Sequence, residues 1–162
     1  MDFLIWKFLH IAAAIVFLGN ITTGVFWAEH AHRTRDFRAI ALVFDGIIRS
    51  DNWFTRPGVI VLIATGVVAA IQAKYPILGT GWIIWAIVLL SISGIAFGAK
   101  LVPLQRKIFQ LTNAGDAGDE NRAAYLSLYR QWQVWGLIAL LAPIVAACIM
   151  VLKPALPAFQ AN

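Results

Sequence analysis

The chain has 162 residues, of which 60% are hydrophobic and only 13% are charged, and its mean hydropathy is +0.76. A typical soluble domain is about half apolar and about one quarter charged, so a soluble globule of this size could not bury this much apolar surface. The net charge of +5 reflects Arg and Lys residues collected in loops, which membrane orientation explains before nucleic-acid binding does. The single cysteine excludes a disulfide framework and a Cys-based zinc or iron–sulfur site.

Four apolar stretches are long enough to cross a bilayer, since a spanning helix needs about 20 mainly apolar residues. These predicted spans cover about residues 3–28, 56–74, 81–103 and 133–152. After the first span, a charged stretch leads into apolar residues that recur at helical spacing from Phe37 to Ile48. That segment is too short and too charged to span, so it predicts an amphipathic helix that lies on the membrane surface or packs on the bundle.

Prolines mark where the predicted spans begin and bend. Thr55 is an expected N-cap, and Pro57 falls in the first turn of the second span, where its missing N–H has little consequence. Pro103 is followed by further helical spacing and predicts a kink rather than an end, and Pro143 predicts a kink in the fourth span. Residues 1–162 are therefore predicted to form a single integral membrane domain. Its fold class is all-α, an antiparallel bundle of four transmembrane helices with an amphipathic helix in the first loop.

The distribution of basic residues predicts the orientation of the chain. Ten of the 13 Lys and Arg residues fall in or beside the two longer loops, namely Arg33, Arg35, Arg38, Arg49, Arg56, Lys100, Arg106, Lys107, Arg122 and Arg130. The opposite side has the other three, Lys7, Lys74 and Lys153. The positive-inside rule therefore predicts a multi-pass protein of the bacterial inner membrane whose longer loops are cytoplasmic and whose termini are both outside.

His10 is the sharpest candidate for chemistry, because ionisable residues within a membrane are rare and usually face a bundle interior or a cavity. Small residues on its helical face leave room for a flat ligand such as haem, and imidazole is a standard axial haem ligand. Met150, at a similar outer depth on the fourth span, is a candidate second ligand, and Gln72 is another polar group at that depth. Alternatively, His10 hydrogen-bonds to Gln72 or to a backbone carbonyl. An obvious second intramembrane His is missing, which disfavours a bis-His cytochrome b.

Asn20, Arg56 and Lys100 form a second group of polar residues, in the inner half of the membrane. Asn in a span commonly hydrogen-bonds across helices. Together with Glu29, the two basic residues are expected to form an ion-pair cluster, to bind an anionic lipid headgroup or to line a cytoplasmic vestibule. Snorkelling to the interface explains Arg56 and Lys100 without any further role.

His30 and His32 follow the first span, and the Gly94–Gly98 pair forms a GxxxG pattern in the third. On a helix, residues two apart point about 200° from each other and cannot chelate one ion, so the two histidines are expected on a solvated face. The GxxxG pattern favours close helix packing, either inside the bundle or between protomers.

Three local patterns together resemble a known family: "FLGNITTGVFW" at 17–27, "DNWFTRPGVIVLIATG" at 51–66 and "LVPLQRKI" at 101–108. They resemble the small bacterial predicted integral membrane proteins called domain-of-unknown-function 2269, over nearly the whole chain. The family has no established function.

More distantly, "KFLHIAAAIVFLGN" at 7–20 looks like the first helix of HemJ-type protoporphyrinogen oxidases and of copper-resistance D-like membrane proteins. In the HemJ type the first-helix His binds haem, so the resemblance implies a haem ligand at His10. That family also has a Lys near the outer start of a later helix, where this sequence has Gly81, Trp82 and Ile83. The resemblance therefore implies haem binding more than protoporphyrinogen oxidation.

The leading functional hypothesis is a membrane protein that binds haem b, with His10 as an axial ligand, and acts in electron transfer or small-molecule oxidation as a haem-dependent oxidoreductase. The competing hypothesis is a non-enzymatic accessory subunit, scaffold or small transporter without a cofactor. The expected partners are the lipid bilayer, with anionic lipid among its components, and a second copy or another membrane subunit. No nucleic acid is expected, and no catalytic residue can be assigned.

Overall fold

Four long helical rods make up most of the protein in a computed structural model that describes residues 3–115 and 118–158. The rods are Phe3–Thr34, Phe37–Gln72, Gly81–Asn113 and Asp119–Leu152, and each contains an apolar window long enough to cross a bilayer. The described residues contain no β-strand. The prediction of an all-α protein with four spanning helices is therefore confirmed.

Two π-helical turns divide the middle rods. The first rod is helix α1 (Phe3–Thr34), and the second consists of α2 (Phe37–Ser50), the first π turn (Asp51–Thr55) and α3 (Arg56–Gln72). The third consists of α4 (Gly81–Ala96), the second π turn (Phe97–Leu101) and α5 (Val102–Asn113). The fourth is α6 (Asp119–Leu152), which continues through Pro143 without a break.

Each π turn is followed by a proline, Pro57 or Pro103, in the first turn of the next α-helix. Proline cannot donate a backbone hydrogen bond, and its ring crowds the carbonyl four residues earlier. The residue before the proline therefore donates to a carbonyl five residues back, as Arg56 does to Asp51, and the rod continues. The prediction that Pro103 does not end the helix is confirmed. The N-cap prediction for Thr55 was wrong, because Thr55 has helical dihedral angles and makes no capping bond.

The largest core lies where the end of α1, the whole of α2 and α5, and the first half of α6 pack together. We call this region the inner bundle, because it lies at the end of the spans that carries most of the basic residues. Phe44, Ile40 and Ile108 are each at most 1% exposed, and Tyr129 and Trp132 pack beside them. Since α2 buries its apolar side here, the predicted amphipathic helix is packed on the bundle.

Beyond the inner bundle the helices separate into a first helix pair, α1 with α3, and a second helix pair, α4 with α6. Among the described residues, no Cα atom of α3 lies within 8 Å of one in α4, α5 or α6. Small residues mediate the contact within a pair, as where the Ser93 hydroxyl donates to the Ala139 carbonyl at 2.7 Å. Large apolar side chains such as Leu4, Ile60 and Ile95 are 66–69% exposed, as expected for surfaces that contact lipid.

The C-terminal tail folds back onto the start of α4. The backbone of Lys153, just after α6, is left-handed, with φ of 47°. Its ammonium group lies 5.5 Å from the ring centroid of Tyr75 and 5.2 Å from that of Trp82. Beside it, the Leu156 backbone approaches Gly81 so closely that a Cβ atom at Gly81 would collide with it. The tail is thus joined to the loop between α3 and α4.

Candidate functional site

His10 lies in the first helix pair and contacts α3. Its Nδ1 is 2.8 Å from the carbonyl oxygen of Leu62, and its ring lies against Gly66, where an added Cβ would be 2.7 Å from Cε1. A carbonyl oxygen only accepts hydrogen bonds, so Nδ1 carries the proton in this contact. In the neutral imidazole, Nε2 then keeps its lone pair. The geometry favours one tautomer and leaves one nitrogen that can bind a metal.

Met150 and Gln72, the proposed companions of His10, belong to different helix pairs. Met150 is partly buried near the end of α6, whereas Gln72 is exposed as the last residue of α3. Gln72 follows Gly66 by six residues, which is about 9 Å along a helix axis. Of the two hydrogen-bond partners considered for His10, the structure therefore pairs it with a backbone carbonyl and not with Gln72.

At His10 the structure offers a single imidazole nitrogen and not a set of protein ligands. No group of three or more His, Cys, Asp or Glu side chains among the described residues could hold an ion. A haem iron receives its equatorial ligands from the porphyrin and needs only axial ligands from the protein. An imidazole tied through Nδ1 to a carbonyl, as at His10, is suited to that role.

One buried carboxylate, that of Asp51, accepts three side-chain hydrogen bonds, and no site was predicted there from the sequence. Asp51, in the first π turn, is 6% exposed. Its Oδ1 accepts from Thr55 Oγ1 at 2.7 Å and from Asn20 Nδ2 at 3.2 Å, and its Oδ2 accepts from Gln105 Nε2 at 2.9 Å. Asn20 also donates to Thr55 at 2.8 Å. These four residues, which we call the Asp51 cluster, tie α1 and α5 to the first π turn.

Because the Asp51 carboxylate is buried, its oxygens depend on the other three side chains of the Asp51 cluster for hydrogen bonds. A buried carboxylate is tolerated only where donors replace water, and three side chains provide those donors here. The sequence pointed to Asn20 as a polar residue within a span but not to Asp51. The available signal was an acidic residue just before an apolar span that begins with Pro57. Gln105 had no comparable signal.

The structure brings Arg56 to the Asp51 cluster and places Lys100 elsewhere. Arg56 is exposed and lines a small, partly open pocket beside the cluster, together with Arg106. The Lys100 ammonium lies 5.5 Å from the ring centroid of Trp135 on α6, a cation–π contact. Of the three residues predicted to form the inner polar group, Asn20 and Arg56 therefore lie at or beside the Asp51 cluster. Lys100 instead packs over the Trp135 ring.

A second polar cluster joins α1 to α6 in the inner bundle. His32 stacks on Tyr129 with ring centroids 4.1 Å apart, and its Nδ1 is 2.8 Å from the Tyr125 hydroxyl. The Tyr129 hydroxyl donates to Glu29 at 3.0 Å. The prediction of a solvated face is wrong for His32, because α6 extends past the membrane and packs against it, whereas His30 is exposed.

Comparison with known proteins agrees with this architecture. The profile of a family described as predicted integral membrane protein (DUF2269) matches residues 4–154. The chain belongs to this family. No curated protein and no solved structure matches it. The protein is therefore a multi-pass integral membrane protein that contacts the lipid bilayer, in a family without an established function.

Proposed function

We propose that this protein binds haem b through Nε2 of His10 and serves electron transfer or small-molecule oxidation in the membrane. The observation that carries the proposal is the 2.8 Å contact between Nδ1 of His10 and the carbonyl oxygen of Leu62. Metal-ligating histidines almost always donate their other ring N–H to a carboxylate, carbonyl or water, which fixes the ring and raises its basicity. His10 has this arrangement in a partly buried, apolar span.

The residues around His10 would orient the imidazole and keep its surroundings small. Gly66 gives the ring its place on α3, and Ala13 and Ala14 follow His10 on α1. When bound, haem supplies one-electron chemistry that side chains cannot. Met150 is our proposed second axial ligand, and Gln72 our proposed tuning group. Since Met150 belongs to the second helix pair, its use would join the two pairs across the cofactor.

Visible spectra of the purified protein test this proposal. After expression with ample haem supply, we expect a Soret band in the wild type and none in His10→Ala. His30→Ala, which removes an exposed imidazole, is the matched control and should keep the band. Gly66→Ala crowds the ring without removing the ligand and should weaken or shift it. A colourless wild type, or a band that survives His10→Ala, would overturn the proposal.

A second candidate function is that of a non-enzymatic membrane component: an accessory subunit, a scaffold or a small transporter. The observation that favours it is an open face at Gly94 and Gly98, where no neighbouring atom lies within 4 Å of an added Cβ. Small-xxx-small faces let spanning helices approach closely, so a second copy or a partner subunit can pack there. His10 then serves only to hydrogen-bond α1 to α3. A native mass corresponding to a haem-free dimer or hetero-complex would favour this function over the first.

We also propose that the chain lies in a bacterial inner membrane with both termini outside and the inner bundle on the cytoplasmic side. The ten basic residues at the inner-bundle end support this orientation through the positive-inside rule. Reporter fusions test it: alkaline phosphatase at the C-terminus should be active, and the same enzyme inserted at residue 115 should be inactive. The reverse pattern would invert the orientation.

A further inference from the structure

Arg56 and Arg106 line one pocket where the second and third rods meet, and Asn52 contributes a side-chain amide to it. Both arginine side chains are exposed. In the described part of the chain, the ion pairs within 4 Å are those of Arg33 with Glu29 and Arg49 with Asp45, so neither pocket arginine has a carboxylate at ion-pair distance. Guanidinium groups bind phosphate oxygens through two parallel hydrogen bonds. Two guanidinium groups that are in no ion pair and share one pocket are therefore suited to a phosphate group.

Asp51 also lines this pocket and attracts Arg56, but its two oxygens are already engaged in hydrogen bonds. Both of its carboxylate oxygens accept hydrogen bonds within the Asp51 cluster, from Thr55, Asn20 and Gln105. The carboxylate therefore stabilises the wall of the pocket. Its single negative charge is smaller than the combined positive charge of the two arginines. The pocket keeps a net positive charge that complements an anion.

Neighbouring aromatic side chains indicate that the pocket lies at the depth of lipid headgroups. The first π turn, which contributes Asn52 to the pocket, also carries Trp53 and Phe54, whose side chains are 78% and 52% exposed. Exposed aromatic residues at the end of a span are typical of the membrane–water interface. A phosphate group at this depth belongs to a lipid more readily than to a soluble metabolite.

The space beyond the pocket suits acyl chains. No Cα atom of α3 lies within 8 Å of one in α4, although the two helices follow one another along the chain. Both helices consist almost entirely of apolar residues. We propose that the pocket of Arg56 and Arg106 binds the phosphate of an anionic phospholipid whose acyl chains occupy the gap between α3 and α4.

Native mass spectrometry of the full-length protein in mild detergent tests the proposal, with phosphatidylglycerol, phosphatidylcholine and inorganic phosphate as probes. We expect one phosphatidylglycerol to be retained per chain in preference to the other two. R56Q/R106Q should bind it about 25-fold less tightly, from about fivefold for each basic residue near an anionic lipid. R56K/R106K keeps the charge but loses the paired geometry, and should fall between. R38Q/R122Q removes the same charge from exposed positions outside the pocket and should bind like the wild type.

Equal retention of the two lipids would overturn this assignment, and so would an equal loss in R38Q/R122Q or inorganic phosphate binding as tightly as phosphatidylglycerol. A lipid-free dimer would overturn it as well, since a second copy would then fill the gap. Elution volume and helix content check that the variants fold, and all the substituted side chains are exposed. Haem spectra depend on His10 and not on these arginines, so either proposal can fail alone.

Discussion

The inner bundle and the two helix pairs are built from different side chains. The inner bundle buries Phe44, Tyr125, Tyr129 and Trp132, each at most 3% exposed, and links its helices through two polar clusters. The helix pairs have many Ala, Gly and Ser residues at their contacts and turn most of their large apolar side chains outward, although Phe17, Leu62 and Ile83 are buried. The same chain therefore has an aromatic core at one end and closely packed backbones at the other.

The difference follows from the surroundings of each region. Where water or headgroups surround the chain, burial of large apolar side chains is favourable. Lipid tails are as apolar as Leu, so burial of such a side chain between spanning helices gains little, and association depends on close packing and hydrogen bonds. The inner bundle should therefore contribute more to the free energy of unfolding than the helix pairs do, and substitutions in the two regions should differ accordingly.

Removing a large core side chain from the inner bundle should have the largest effect. Phe44 is 0% exposed and packs edge-on against Trp132 at 5.3 Å between ring centroids. Phe44→Ala should lower the free energy of unfolding in mixed micelles by about 3–5 kcal/mol. Leu42→Ala, on the same helix but 75% exposed, should change it far less. Equal losses would mean that the inner bundle is no more tightly packed than its surface.

The Asp51 cluster should come next. Asp51→Ala leaves the Asn20 and Gln105 amides without their acceptor, which should destabilise the protein by about 2–3 kcal/mol. Asp51→Asn keeps one acceptor oxygen and should be milder. Asp45→Ala removes only a surface pair with Arg49 and should cost about 0.3–0.5 kcal/mol. An Asp51→Ala protein as stable as Asp45→Ala would show that the cluster does not hold the rods together.

A smaller loss is expected in the first helix pair. Without haem, His10→Ala removes one hydrogen bond between α1 and α3, and such bonds in membranes contribute about 0.6–1.7 kcal/mol. The same unfolding titration measures it. With haem supplied, the wild type should gain stability and His10→Ala should not. A gain in both proteins would place the cofactor away from His10.

The smallest effect should distinguish two glycines. A Cβ at Gly94 meets no neighbouring atom, so Gly94→Ala should stabilise the helix by up to about 1 kcal/mol, as Ala does over Gly. Gly66→Ala forces a Cβ to 2.7 Å from the His10 ring and should destabilise the first helix pair. Should Gly94→Ala instead weaken a dimer, that face would be an interface between copies.

The four rods could be predicted because apolar composition and helical spacing are local properties of the sequence. The amphipathic segment from Phe37 to Ile48 could be predicted for the same reason, although its burial against α5 could not. The prolines gave partial information: the prediction that the helix continues past Pro103 was correct. The π turn before Pro57 was mistaken for a helix start, because an i→i+5 hydrogen bond leaves no mark on spacing.

The contacts of the candidate sites were harder to predict. Asn20, Asp51 and Gln105 are 31 and 54 residues apart along the chain, and only packing brings them together. His10 pairs with a backbone carbonyl, a group that every residue carries and that no sequence pattern distinguishes. The role of His32 was missed because its stacking partner, Tyr129, lies on a helix that extends beyond the membrane.

The contact of the C-terminal tail with Gly81 changes how the gap between the helix pairs is bounded. Only residues 73–80 join α3 to α4, and the tail packs where α4 begins, so both pairs are tied together at their outer end. The inner bundle ties them at the other. The gap is thus a window in the plane of the membrane, framed on all sides by protein. A molecule that occupied the gap, such as the proposed lipid, would therefore enter it laterally from the hydrocarbon phase, after partitioning into the bilayer.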